Sequence, residues 1–248
     1  APTIAESEYM LGIADATPHV AAVTGWVDFE NPAHQAELAR LASHPKFSAV
    51  RPMIQDIPDD DWMLRDDVQW GFKAITDLGL RFEALGFPRH LENFLAIFTR
   101  HPEMKVVIDH CMKPQIATHD ATQFKVWADG MTQLANKTAA FCKFSALITE
   151  ADADWQTDDL RPYAEHVINA FGAERVIGVP QRPRELVGER GRGDPPRLAR
   201  AALGREGIVV VAGGGVGRRR GGGGGGRWER GASGGGGRGR GEEREGAL

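Results

Sequence analysis

At 248 residues the chain can hold one large domain or two small ones, and its formal charge of −4 averages two unlike parts. Residues 179–248 carry 23 of the 31 glycines and 15 arginines against 8 acidic residues, a surplus of +7 that leaves −11 on residues 1–178. That acidic balance gives no footing for nucleic acid, two cysteines are too few for a disulfide framework, and no apolar run approaches the roughly 18 residues of a membrane span.

In chain order, Thr3-Ile4-Ala5-Glu6 is a capping-box pattern that opens a helix over about residues 4–15. Val20–Phe29 follows as a strand. Asn31-Pro32 then caps a helix running to about Ser43, and Phe47–Ile54 is the next strand. Val68, Phe72, Ile75 and Leu78 mark the buried stripe of a helix that Gly79 ends, before a short strand at Leu80–Leu85. Leu91, Phe94, Leu95 and Phe98 recur at helical spacing. Lys105–His110 is an apolar strand, Phe124, Trp127, Met131 and Leu134 form another helix face, and Ala139–Phe144 is a strand. Leu160–Phe171 is a helix, and Arg175–Gly178 begins a sixth strand.

Strict alternation of strand and helix predicts a parallel sheet covered by helices. The helix-to-strand links are short, whereas the strand-to-helix links at 54–64, 111–120 and 146–157 are long. Long loops after the strands are what an active-site face looks like in a barrel or an open α/β sheet. No G-x-G-x-x-G opens a helix, no G-x-x-x-x-G-K-[ST] occurs, and residues 1–178 hold no H-x-H, H-E-x-x-H or G-x-S-x-G. Metal ligands are therefore assigned to no residue. Cys111 and Cys142 read as reduced thiols, and no signal peptide precedes the first helix signal, so the expected compartment is cytoplasmic. Ala1 in place of Met makes a start partway through a longer gene product the expectation.

Polar residues gather where strands end: Asp28 and Glu30 after the first, Arg51, Gln55 and Asp56 after the second, Glu83 on the third, Asp109, His110 and Lys113 after the fourth, and Lys143 and Ser145 at the fifth. His110 closes V-V-I-D-H, where a buried imidazole needs a partner; it is a catalytic candidate or a structural histidine bonded to a carbonyl. Lys143 lies inside F-C-K-F-S and must meet a charge or a substrate. Arg51 is either a fork for a substrate oxygen or the partner of Asp56 or Glu83. Gln55 and Ser145 fit loop anchoring as well as binding. The histidines at 19, 34, 44, 90, 101, 119 and 166 read as structural.

Taken together, G-W-V-D-F-E (25–30), R-P-M-I-Q-D-I-P-D-D-D-W (51–62), V-V-I-D-H-C-M-K-P (106–114), C-K-F-S-A-L-I-T-E-A (142–151) and D-L-R-P-Y-A-E-H-V (159–167) resemble the amidohydrolase-related family, most closely its L-fuconolactonase-like sugar-lactonase branch. The resemblance covers about residues 1–178. It implies an incomplete (β/α)8 TIM-type barrel, lacking the first two strands and most of the eighth, and hydrolysis of a small lactone. By the same resemblance, His110 and Lys143 are catalytic and Arg51 and Gln55 bind substrate. A divalent metal such as zinc in intact relatives is left open. The H-x-H pair of such proteins and the general-base aspartate after their eighth strand have no counterpart here.

For residues 179–248 the expectation is a low-complexity, disordered tail translated out of frame or otherwise artefactual. A genuine Arg/Gly nucleic-acid-binding tail is the rival reading. Open edges at the first and last strands lead to the further expectation that this chain is unstable or inactive alone. The alternative to a lactonase is thus a catalytically inactive barrel fragment or an interaction protein.

Overall fold

The computed structural model describes residues 2–178 and the strand Ile208–Val211; the remaining glycine- and arginine-rich residues lie outside the described part. Helix α1 (Ile4–Ala16) starts as the capping box predicts, with the Thr3 hydroxyl accepting from the Glu6 amide at 3.1 Å. Strand β1 (Val20–Gly25) is shorter than expected. Beyond Gly25 the Trp26 amide donates to the Ser7 hydroxyl at 2.9 Å instead of a neighbouring strand, and Phe29 turns into the core. Helix α2 (His34–Ala42) leads to β2 (Phe47–Val50), which ends before Pro52, a residue with no amide hydrogen for a ladder. Helix α3 (Gln69–Asp77) gives way at Gly79, whose φ of +68° suits glycine.

The pattern repeats through β3 (Arg81–Ala84), α4 (Leu91–Arg100), β4 (Lys105–Ile108), α5 (Ala121–Lys137), β5 (Phe141–Phe144), the short α6 (Leu147–Glu150), α7 (Thr157–Phe171) and β6 (Val176–Gly178). The long strand-to-helix links are not irregular. They hold 3-10 turns at Ile54–Asp56, Trp62–Leu64, Asp66–Val68, Asp109–Met112 and Ile116–Thr118.

All strands of the sheet are parallel, and β1 to β6 each lie beside their neighbour in sequence. Such an order never reverses. A doubly wound sheet has a reversal point, so the arrangement is that of a half-barrel. Beside β1 runs β7 (Ile208–Val211), with Val20 opposite Ile208 and Thr24 opposite Val211. These four residues cover the β1 edge that was expected to be open; the rest of the expected tail lies outside the described residues. Ile-Val-Val-Val is a β-branched run, a local preference that the glycine-rich composition of the segment averages away.

Packing between sheet and helices is strongly aromatic. Phe72 meets Phe29 and Phe82 edge-on, each at 5.3 Å, and Phe94 packs on Phe98 at 5.6 Å. Gly71 lets α3 close on Phe29, since a Cβ there would fall 2.4 Å from that ring. With every second strand residue turned outward to this core, the opposite face carries Thr24 on β1, Glu83 on β3 and Lys143 on β5.

Candidate active site

The site is built on the sheet face turned away from the helices, at the carboxyl ends of the strands. Lys143 sits on β5 with its side chain 14% exposed; its ammonium lies 2.7 Å from Glu83 Oε1 and 2.9 Å from Asp109 Oδ1. Arg51, immediately after β2, reaches the other Asp109 oxygen with Nη1 at 3.5 Å. Thr24 donates its hydroxyl to Glu83 Oε1 at 3.1 Å. One polar chain therefore links β1, β3, β5 and the residues that follow β2 and β4. Two cations offset two carboxylates, the condition under which buried charges are tolerated.

Each charge is tuned by its place. Burial, and then the Asp109 charge, push the Glu83 carboxyl above its usual range, against the pull of Lys143. Burial works against the Lys143 ammonium, but Asp109 and Glu83 together outweigh it and raise its pKa. Lys143 is therefore charged at neutral pH.

His110 stands beside this group but not on a strand. Strand β4 stops at Ile108, and the expected extension to His110 is replaced by a turn in which His110, Cys111, Met112 and Lys113 all have φ between 47° and 58°. Four successive non-glycine residues in the left-handed region are strained, by about 1–2 kcal/mol each. The turn is anchored from outside: Trp127 donates its indole N–H to the Cys111 carbonyl at 2.8 Å, and the Cys111 thiol lies 3.4 Å from the Lys143 carbonyl. Its result is to aim His110 at β5, where Nδ1 meets the Ser145 hydroxyl at 2.8 Å. Burial first, then the charges of Lys113, Lys143 and Arg51, outweigh Asp109 and hold the imidazole below its usual pKa. It is neutral at pH 7. When Ser145 donates to Nδ1, the single ring N–H resides on Nε2, free to donate to a carbonyl oxygen.

The residues singled out from sequence fall into two groups. Arg51, His110 and Lys143 come together on one face, as a common cavity requires. Gln55 lies further out on the rim, where its side-chain oxygen accepts from the Lys113 ammonium at 2.5 Å. Arg51 pairs with Asp109, not with Asp56 or Glu83 as weighed above. Asp109 and Glu83 are the carboxylates of this group, which the sequence reading noted at strand ends but did not select. Their signal was available: an acid at the carboxyl end of a buried strand needs a cation opposite. Of the other histidines, six have local partners that fit a structural role. Among these are the Asp28 amide on His34 at 3.0 Å and Asp60 on His90 at 3.1 Å. A hollow of about 470 Å³ between α1 and α2 lies at the opposite strand ends; its charged groups pair with each other, Arg40 with Glu8 and His44 with Asp15.

A half-barrel with its polar side chains converging at the strand carboxyl ends is the scaffold of a barrel hydrolase. The chain belongs to the amidohydrolase family, whose family model matches residues 3–177. It is 40% identical over 176 residues to L-fucono-1,5-lactonase of Burkholderia ambifaria, a match covering 71% of this chain and 60% of that protein. A crystal structure of an amidohydrolase from Burkholderia multivorans with bound HEPES superposes with a TM-score of 0.67 at 28% identity, covering 73% of this chain and 65% of that one. A second crystal form, with bound zinc, gives 0.65 at 29% identity over the same shares. The chain thus spans about 60% of the length of the curated relative.

The zinc of that second form invites a test of fit. Among the described residues no three His, Cys, Asp or Glu side chains are grouped to hold a metal ion. The two nearest carboxylates, Glu83 and Asp109, already share the Lys143 ammonium between them. The described donor set does not fit a divalent metal.

Proposed function

We propose that this chain carries the larger part of a lactone-hydrolysing site, acting on a small sugar-acid lactone. The observation that supports the reading most is the aimed, neutral His110, held by Ser145 beside the Arg51–Asp109–Lys143–Glu83 group. Water attacks the lactone carbonyl carbon, the acyl C–O bond of the ring breaks, and the ring oxygen takes up a proton to give a hydroxy acid. In this reading His110 Nε2–H donates to the carbonyl oxygen as charge builds on it. Arg51 and Lys143, fixed by their carboxylates, supply a pre-set field and need no reorganisation. The general-base aspartate implied by the family resemblance has no counterpart after β6, where the sequence runs Val179-Pro180-Gln181. Gln55 on the rim orients the substrate in the same reading.

The test is a panel of five- and six-membered sugar-acid lactones, followed by acid release, on this chain and on a version extended at both ends to the length of its relatives. Hydrolysis that drops at least about 100-fold in His110→Ala supports the reading, the scale of a lost acid–base or oxyanion group. Failure of both versions on every lactone sinks it and leaves the inactive barrel or interaction protein.

A further inference from the structure

The left-handed turn delivers a second side chain besides His110. Its last residue, Lys113, has φ 47° although Pro114 follows, a position where helical conformations are disfavoured. The ammonium it presents lies 5.5 Å from the centre of the Phe87 ring and 2.5 Å from Gln55 Oε1. Arg89 lies over the same ring at 4.8 Å, but Asp60 already neutralises it at 2.7 Å. Among the described residues no carboxylate lies within 4 Å of Lys113. Its only described polar side-chain partner is a neutral amide oxygen. The rim therefore holds a half-buried cation, on a strained backbone, with an aromatic wall beneath it and, among the described residues, no counter-ion. Strain of this kind persists where surroundings over-determine it, and it concentrates at ligand-binding positions.

We propose that Lys113 is a recognition residue for a carboxylate, holding that of the ring-opened sugar acid with its apolar face against Phe87 and with Gln55 beside it. This rests on the lactonase reading for the identity of the acid, but the anion site itself does not require turnover. Gln55 then has two states. It caps Lys113 when the site is empty, and it turns to substrate hydroxyls when a carboxylate takes over the ammonium.

The test is titration calorimetry with L-fuconate as the anionic probe and L-fucose as its uncharged counterpart. Lys113→Met is expected to weaken L-fuconate binding about tenfold or more, the range of a charge-assisted hydrogen bond, while L-fucose changes less than about twofold. Lys113→Arg should recover most of the loss. A readout on the unsubstituted chain covers the case of a variant that fails to fold: L-fuconate, and not L-fucose, should raise the His110 pKa in an NMR titration by neutralising the Lys113 charge. Equal effects on both probes, no effect of Lys113→Met, or no L-fuconate binding overturns the proposal. Lactone hydrolysis is followed on the same sample. Lys113-dependent acid binding without turnover in either this chain or its extended version keeps the subsite and removes the lactonase reading; turnover without Lys113-dependence does the reverse.

Discussion

Lys143 holds two carboxylates at once, which makes it the least replaceable of the charged residues. Lys143→Met leaves Glu83 and Asp109 on the same buried face with only Arg51 to offset them. Removing one partner of such a network costs about 3–5 kcal/mol, so equilibrium urea unfolding should show a loss of that order. The pH dependence has a defined sign. The folded pKa of Lys143 is raised, so its contribution is complete below the unfolded lysine value of about 10.4 and fades as pH rises through the folded value. The stability gap between the native chain and Lys143→Met should therefore be flat from pH 7 to about pH 10 and narrow above it. A gap that widens above pH 10 would contradict the assigned pairing.

His110 behaves in the opposite sense. Its folded pKa is lowered, so its contribution is present above the unfolded histidine value of about 6.5 and is lost as pH falls through the folded value. An NMR titration should find the imidazole more than half neutral at pH 6.5, and lactone turnover, where present, should persist below that pH. A His110 that titrates at or above 6.5 would mean that the burial and the neighbouring cations do not act as described.

Among the elements, the turns after β4 and β5 do most to set the site. Ala146, which follows Ser145, has φ 62°. A Cβ in that region is strained, and removing it offsets the greater backbone freedom of glycine in the unfolded chain. Ala146→Gly should raise the urea midpoint, by up to about 1 kcal/mol in free energy, with the Ser145–His110 hydrogen bond intact. A fall in midpoint would show that the Ala146 methyl packs more than it strains.

These turns also mark the limit of what the sequence discloses. Capping at Thr3, the α4 stripe Leu91–Phe94–Phe98 and the glycine stop at Gly79 are local signals, and each appears in the fold where residue type and spacing put it. Left-handed backbone at His110–Lys113 could not be read this way. None of the four residues is glycine, asparagine or aspartate, so the conformation is imposed by tertiary contacts such as Trp127 on the Cys111 carbonyl. In the same way Arg51, His110 and Lys143 were legible as a group because each lies at or just past the carboxyl end of a strand in a parallel sheet. The Arg51–Asp109 pairing was not, because it joins residues 58 positions apart.

At the scale of the whole molecule, a parallel half-barrel must dispose of its edges. At β1 that is done by Ile208–Val211, where Ala22 pairs with Val209 and Val23 with Val210. A proline placed in this strand removes a backbone donor and restricts φ, while the rest of the chain keeps its sequence. Val210→Pro should therefore speed hydrogen exchange at the β1 amides Val20–Gly25 on the side facing β7. The β3–β4 ladder, where Phe82 pairs with Val106 and Glu83 with Val107, lies two strands away or further and should keep its protection. The contrast separates local loss of an edge strand from global destabilisation, which would accelerate both ladders together. Unchanged exchange at β1 would mean that β7 contributes nothing to holding that edge. Faster exchange confined to β1 would place Ile208–Val211 among the working parts of the sheet, paired with Thr24, the end of the polar chain that runs through Glu83 and Lys143 to the site.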